Sequence, residues 1–125
     1  MPTLIDSDVF IDILDGDDRA IAFLLRARRA DAVMSVTPVR TEVLGGVRPE
    51  SVRRTMNVLG LVEWIDVSVE MADVAAGLAR RHRPAHSGIG VVDYLLAAAA
   101  VEVDGIVATR NVRHFPMFPG LQPPY

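Results

Sequence analysis

Four acidic side chains of this sequence could act together on one metal ion or substrate. Asp6 and Asp8 follow a predicted first strand, Glu42 lies one turn into the helix after the second strand, and Asp93 lies near the start of the helix before the last strand. The carboxyl ends of parallel strands meet at one edge of a sheet, where ligands collect. Carboxylates about 4 Å apart repel by roughly 4 kcal/mol per pair at an effective dielectric near 20. The four must therefore be protonated, spread apart or neutralised by a cation.

A hard divalent cation is the natural partner for such a group. Mg²⁺ takes one or two carboxylates plus waters and leaves positions open for phosphate oxygens. A metal ion so placed lowers the pKa of a bound water and stabilises charge on a phosphodiester. The pattern therefore indicates the chemistry of a metal-dependent nuclease.

Each acid also has an ordinary structural interpretation. Asp6 and Asp8 suit the N-terminal cap of a helix, Glu42 suits an exposed helix face, and Asp93 suits a first turn, where it complements the helix dipole. The combination in one chain favours the functional interpretation, because Asp93 lies among apolar neighbours where an unpaired charge is costly. The other acids that we considered are predicted to be solvated surface residues or caps: Asp12, Asp15, Asp17, Asp18 and Asp104.

The elements that position these residues are short strands separated by helices. Strands are predicted at residues 3–5, 32–36, 62–67 and 106–109, with a further short edge strand near Leu121. This alternation predicts one α/β domain over residues 1–125, with a small parallel sheet covered by helices on both faces. Helices are predicted to begin around Asp6–Asp8, at Asp17 or Asp18, after a Thr37 cap, at Pro49, after a Ser68 cap and at Val91.

Helical periodicity also predicts which residues face the core. The helix after Pro49 is expected to turn Val52, Met56 and Leu59 inward. The helix after Ser68 is expected to bury one face, and residues 91–103 form an Ala-rich central helix. The predicted buried face of the helix after Ser68 comprises Met71, Val74, Ala75 and Leu78.

Composition excludes several classes of mechanism. The 125 residues include no Cys and no Lys, and all thirteen basic residues are Arg. Disulfides, thiolate metal sites and cysteine nucleophiles are therefore excluded, as is any mechanism that needs a lysine amine. The three histidines, His82, His86 and His114, are too far apart in sequence to predict a histidine metal site, and we expect them on the surface or in loops.

The same composition predicts a cytoplasmic protein with apolar surface for a partner. No basic residue precedes an apolar segment at the N-terminus, and the longest apolar run, Leu95 to Val101, is far short of the roughly 20 residues that span a bilayer. The mean hydropathy of +0.28 is high for so small a domain. Apolar surface for a homodimer and for a further helix from another chain would account for this value, and so would a monomer with a generous core.

Four segments of the sequence, in order, resemble the PIN domain of VapC toxins. They are Leu4–Val9, Thr41–Glu42, residues 90–99 and residues 107–115. The resemblance implies a PIN-like three-layer sandwich and Mg²⁺-dependent endoribonuclease activity, with Mn²⁺ able to substitute. It further implies a type II toxin that cleaves structured RNA, tRNA or rRNA, and that a VapB-type antitoxin neutralises.

The resemblance also assigns roles to individual residues. Asp6, Glu42 and Asp93 form the catalytic, metal-binding core. The supporting residues are Asp8, Ser7, Thr109 and Asn111, and the candidate RNA phosphate contacts are Arg110 and Arg113.

One departure from the family pattern affects the number of metal ions. Asn111 stands where the family often has a fourth acid, and His114 stands where a further Asp is common. An amide oxygen can hold a metal-bound water but adds no charge. We therefore expect one well-held ion, with a second joining when substrate phosphate supplies charge.

Two other functions remain open at this point. Asp6-Ser7-Asp8 also resembles the nucleophile motif of haloacid-dehalogenase phosphatases, and receiver domains cluster acids similarly, but both expect a basic anchor that is usually Lys. The departure at Asn111 also allows a PIN-like module that binds RNA or protein without cleavage. The net charge of −3 argues only weakly against RNA, since the chain without its four candidate site acids carries +1.

Overall fold

A computed structural model describes all residues, 1–125, and contains one sheet of four parallel strands. The strands are β1 (Thr3–Ile5), β2 (Val33–Val36), β3 (Glu63–Ile65) and β4 (Ile106–Ala108), in the order β3-β2-β1-β4. Leu4 pairs with Met34 on one side and Val107 on the other. Leu4 and Ile5 are both fully buried. Because neighbouring residues of a strand point to opposite faces, both faces of the sheet are covered, as predicted.

Six helices connect and cover the strands. They are α1 (Ser7–Leu14), α2 (Asp18–Ala30), α3 (Thr37–Gly45), α4 (Val52–Leu59), α5 (Val69–His82) and α6 (Val91–Val103), with 3₁₀ turns at Pro49–Ser51 and Val112–His114. Helix α6 is central as predicted, since residues 96–100 are all buried. None of the helices combines the length and the apolar composition that crossing a membrane requires.

Gly105 lets α6 return to the sheet at β4. Asp104 ends the helix in the left-handed conformation, with φ of 52°. A Cβ at Gly105 would collide with the Leu4 side chain and lie 2.9 Å from the Pro2 carbonyl oxygen. Only glycine therefore allows β4 to approach β1 this closely.

Three of the four predicted helix caps are confirmed. The side chains of Asp6, Asp17 and Ser68 accept backbone N–H groups at the starts of α1, α2 and α5. The prediction of a Thr37 cap is wrong. Val36 occupies the cap position in an extended conformation, because β2 runs directly into α3, and Thr37 is already helical.

The structure also corrects the predicted inner faces of two helices. Val52 and Met56 of α4 are exposed, and Thr55 is fully buried with Leu59 instead. The Thr55 hydroxyl donates to the Ser51 carbonyl oxygen at 2.8 Å. This bond satisfies the hydroxyl, so a polar residue can take the inward position. In α5, Val74 is exposed, whereas its predicted partners Met71 and Ala75 are buried.

The strand predicted near Leu121 is absent. Residues 115–125 contain no strand, and β3 covers only three of the six residues expected. Four prolines lie in this tail, and proline has no N–H to donate to a strand ladder. The tail therefore packs as irregular chain through partly buried side chains such as Phe118, Leu121 and Tyr125.

Candidate active site

Asp6 lies at the carboxyl end of β1 with both carboxylate oxygens engaged. Its Oδ1 accepts the Ser7 backbone N–H at 2.8 Å, and its Oδ2 accepts the Thr109 hydroxyl at 2.9 Å. Only 5% of the residue is exposed, and neither Arg nor His lies within 4.0 Å of the carboxylate. Burial, with a smaller contribution from the charge of Asp8, raises the pKa of Asp6 to about 6. The fold thus holds this carboxyl group in place without a protein cation to balance its charge.

Asp8, in the first turn of α1, has one oxygen without a partner. Its Oδ2 accepts the Arg110 backbone N–H at 2.9 Å, whereas its Oδ1 is buried and makes no hydrogen bond. Burial raises the pKa of Asp8, and the nearby charge of Asp12 raises it further. A buried carboxylate oxygen without a donor costs free energy. Asp8 is therefore suited to support a cation or a metal-bound water.

Asp93 and Glu42 approach the same edge of the sheet from two other helices. Asp93, in the first turn of α6, accepts the Gly90 N–H at 3.2 Å through Oδ2. Its charge raises the pKa of both Asp6 and Glu42, although burial is the larger cause for each. The Ser7 side chain partly offsets the effect at Glu42. The predicted acids therefore interact electrostatically across β1, α3 and α6.

These acids do not form a complete ligand cluster by themselves. No three carboxylate or imidazole groups lie close enough together to hold a metal ion among them. Their chemistry nevertheless fits a hard cation, because all candidate donors are oxygens and the Asp8 Oδ1 has no partner. Mg²⁺ characteristically uses only one or two carboxylates and completes its coordination with water and substrate oxygens. One or two of these carboxylates would therefore be enough for such a site.

The segment after β4 ties the site together. The Thr109 hydroxyl, which donates to Asp6, accepts the Asn111 backbone N–H at 3.0 Å. The Asn111 Nδ2 atom lies 2.9 Å from the His114 Nδ1 atom. Thr109 is fully buried, so its hydroxyl holds Asp6 and the turn at Asn111 in one fixed arrangement.

His114 is a site residue that the sequence analysis missed. Its Nδ1 lies 3.0 Å from the Asp93 Oδ2, and its side chain, in the turn after β4, is only 22% exposed. One Nδ1–H can donate to the Asp93 carboxylate, in which case the Asn111 amide presents its oxygen to the ring. The 3₁₀ turn Val112–His114 places the ring there. No helical or strand periodicity covers this segment, and the one sequence signal was that His114 stands where the family commonly has a further Asp.

The two predicted phosphate contacts lie in different environments. The Arg110 guanidinium donates to the Asp12 carboxylate at 3.0 Å. Arg113 is exposed and forms no ion pair. Both residues line an open cavity of about 540 Å³ that also includes Asp8 and Asn111. This cavity adjoins the carboxylates, so a phosphate bound there would lie beside them.

Comparison with known proteins identifies the family. The PIN domain family matches residues 3–118. The chain is 42% identical over 123 residues to Ribonuclease VapC19 of Mycobacterium tuberculosis, with 98% of each chain covered. It is 39% identical to Ribonuclease VapC10 of the same organism, covering 98% of this chain and 92% of that protein.

Solved structures show the same fold. A toxin-antitoxin complex from Klebsiella pneumoniae matches with a TM-score of 0.83, at 22% identity and 98% coverage of both chains. VapBC2 from Rickettsia felis, bound to a DNA fragment from its promoter, matches with a TM-score of 0.82, at 19% identity, covering 97% of this chain and 96% of that one.

The chain belongs to the PIN domain family and has the PIN fold predicted from its motifs. Within that family it groups with the VapC ribonucleases, which confirms the predicted resemblance.

Proposed function

We propose that this protein is a Mg²⁺-dependent endoribonuclease, with Mn²⁺ able to substitute, and acts as the toxin of a type II toxin–antitoxin pair. The observation that carries the proposal is the environment of Asp6. The fold buries this carboxyl group, aligns both of its oxygens and provides no cationic side chain within ion-pair distance. Such an arrangement is costly unless a cation occupies it. The similarity to VapC ribonucleases supports the choice of substrate class.

In the proposed site, Asp6, Asp93 and Glu42 face the metal ion, with one or two of these carboxylates as direct ligands and water completing the coordination. The bound cation supplies charge neutralisation at the phosphodiester and activation of the attacking water. Thr109 orients Asp6, and His114 orients Asp93, through the hydrogen-bond contacts described above. Asp8, Ser7 and Asn111 complete the surrounding shell, which in metal sites fixes the orientation of the ligands.

The proposed substrate is structured RNA, tRNA or rRNA. Arg110 and Arg113 lie beside the carboxylates and contact RNA phosphates in this proposal. A metal ion neutralises much of the acidic charge at the site, so a net charge of −3 is compatible with an RNA substrate. The shape of the RNA loop and contacts to its bases select the cut site in single-stranded regions.

The proposed partners are a VapB-type antitoxin and a second copy of the chain, acting in the cytoplasm. The Klebsiella pneumoniae structure that shares this fold is a toxin–antitoxin complex. Large apolar side chains remain exposed on several helices of this protein, which provides surface for both partners. Those with at least 40% exposure on helices α1, α2, α4, α5 and α6 are Ile11, Leu25, Val52, Met56, Val69, Val74, Val91 and Val101.

The experiment that tests the proposal compares the wild type with Asp93→Asn. Each purified protein, freed of co-purifying partner, is incubated with total cellular RNA in Mg²⁺, Mn²⁺ or EDTA. We expect discrete fragments from the wild type in either metal, none in EDTA and none from the folded variant. Intact RNA in every lane, from folded protein shown by calorimetry to bind Mn²⁺, would contradict the nuclease and favour a module that binds RNA or protein. Mapping the fragment ends then identifies the cut site.

A further inference from the structure

We propose that Asp12 and Tyr125 are positioning residues for the active site. Together with Arg110 they form what we call the tail clamp, which fixes the loop 109–111 against the carboxylates. This inference rests on the proposed function for its kinetic consequence. The contacts that support it are independent of that function.

Asp12 is the centre of the tail clamp. Its Oδ2 accepts the Tyr125 hydroxyl at 2.6 Å and the Arg110 Nη1 at 3.0 Å. The Asp12 side chain is only 20% exposed, which shields both bonds from water. A carboxylate can only accept, so the Tyr125 hydroxyl must donate here. In sequence, Arg110 lies 98 positions from Asp12, and Tyr125 lies 113 positions from it.

The Tyr125 ring extends the tail clamp through aromatic contacts. The Arg110 and Arg19 guanidinium carbons lie 5.8 and 5.7 Å from its centroid, within the range of cation–π attraction. The Phe23 ring of α2 lies 6.1 Å away in a tilted arrangement. The side chain of Tyr125 thus connects helix α2 to the loop after β4.

The tail clamp reaches the carboxylates through the backbone of the loop. Arg110, whose side chain binds Asp12, donates its own N–H to Asp8. Thr109, the residue before it, donates to Asp6. Releasing the Arg110 side chain therefore loosens the loop whose Thr109 hydroxyl orients Asp6 and whose Arg110 N–H orients Asp8. Groups that orient metal ligands typically contribute 10- to 100-fold to activity or metal affinity.

The test compares Tyr125→Phe with Tyr94→Phe as a matched control. Each change removes one hydroxyl, but the Tyr94 hydroxyl is buried without a hydrogen-bond partner. For Tyr125→Phe we expect kcat for RNA cleavage to fall about 10-fold with KM within twofold. Tyr94→Phe should retain wild-type kcat and KM. Asp12→Asn should lower kcat similarly, and the double variant Asp12→Asn with Tyr125→Phe should be little worse than either single variant.

Amide hydrogen exchange supplies a second readout that requires no cleavage. In metal-free protein, Tyr125→Phe should accelerate exchange of the Arg110 and Asn111 amides about 10-fold relative to core amides of α6. Tyr94→Phe should leave those rates unchanged. Uniform acceleration of all amides, or wild-type exchange together with wild-type kcat, would overturn the positioning role. If no variant cleaves RNA, the proposed function fails, and exchange still decides whether the tail clamp holds the loop.

Discussion

Asp6 and Asp17 have the same local role in this protein but opposite electrostatic surroundings. Each caps a helix, and each accepts a backbone N–H from the first turn, at 2.8 Å for Asp6 and 2.9 Å for Asp17. Asp17 is paired with Arg19 through a side-chain contact of 3.1 Å, and hydrogen bonding to Arg19 lowers the pKa of Asp17. Asp6 has no such partner, and burial raises its pKa.

The difference separates a structural carboxylate from a functional one. A helix cap needs only an oxygen acceptor, and Asp17 fulfils this at the surface with its charge balanced. Asp6 carries the additional cost of a desolvated charge beside Asp8 and Asp93. A protein retains such a cost where a ligand offsets it, which is why buried acids with raised pKa values concentrate at functional sites.

The largest effect is expected when RNA cleavage by Asp6→Asn is compared with RNA cleavage by Asp17→Asn. Asparagine keeps the cap oxygen at each position but removes the charge. We expect Asp6→Asn to lose at least about 100-fold in cleavage rate, since it removes a proposed metal ligand, and Asp17→Asn to stay within about twofold. Gel assays with a mapped RNA substrate measure both. Equal activity of the two variants would remove Asp6 from the site.

The second test is the stability of the same variants without metal. In EDTA at pH 8, Asp6→Asn should raise the free energy of unfolding, because it removes an uncompensated buried charge. The shift in pKa from 3.8 to about 6 corresponds to about 3 kcal/mol at most. Asp17→Asn should lower stability slightly, because Arg19 loses its partner. Urea denaturation measures both changes, and a loss of stability in Asp6→Asn would contradict this account of its burial.

The third test is the pH dependence of the wild type in EDTA. A carboxyl group whose pKa is higher in the folded protein than in the unfolded chain binds its proton more tightly when folded. The contribution of protonated Asp6 to the free energy of unfolding is therefore fully present below pH 3.8 and is lost as pH rises through about 6. We expect a decline over this window, to which the raised pKa values of Asp8 and Glu42 contribute and which the lowered pKa of Asp17 opposes, and a flatter profile for Asp6→Asn. Identical profiles for the two proteins would show that Asp6 titrates normally.

The sequence was sufficient to predict the frame that carries Asp6. Alternation of strands and helices placed Asp6 and Thr109 near one edge, because the carboxyl ends of parallel strands share an edge whatever the details of packing. Asp93 was expected there on the condition that the helix before β4 runs antiparallel to that strand. The caps at Asp17 and Ser68 were equally predictable, since a cap depends on residues within one turn.

Contacts that depend on the path of the tail were not predictable. His114 reaches Asp93 from 21 positions away, and Tyr125 reaches Asp12 from 113 positions away. Neither residue lies in a periodic segment that could indicate its orientation. The prediction of the inner face of α4 was wrong for a different reason. Burial of Thr55 depends on its hydrogen bond to Ser51, and hydrophobic periodicity does not indicate such a bond.

The smallest expected effect extends the comparison from acids to their cations. Arg19 is paired with Asp17 within the chain. Arg113 makes no ion pair and lines the same open cavity as Asp8. If Arg113 instead binds substrate phosphate, Arg113→Gln should raise KM a few-fold, leave kcat unchanged and reduce the salt dependence of binding by about one ion.

Arg28→Gln is the matched control for this variant. Arg28 lines a different cavity, beside Asp31 and the beginnings of β2 and β3, at the edge opposite the carboxylates. Both changes remove one positive charge and therefore weaken the overall attraction of the protein for RNA equally. An excess effect at Arg113 measures a local phosphate contact. Equal effects of the two variants would assign Arg113 to the general charge of the surface.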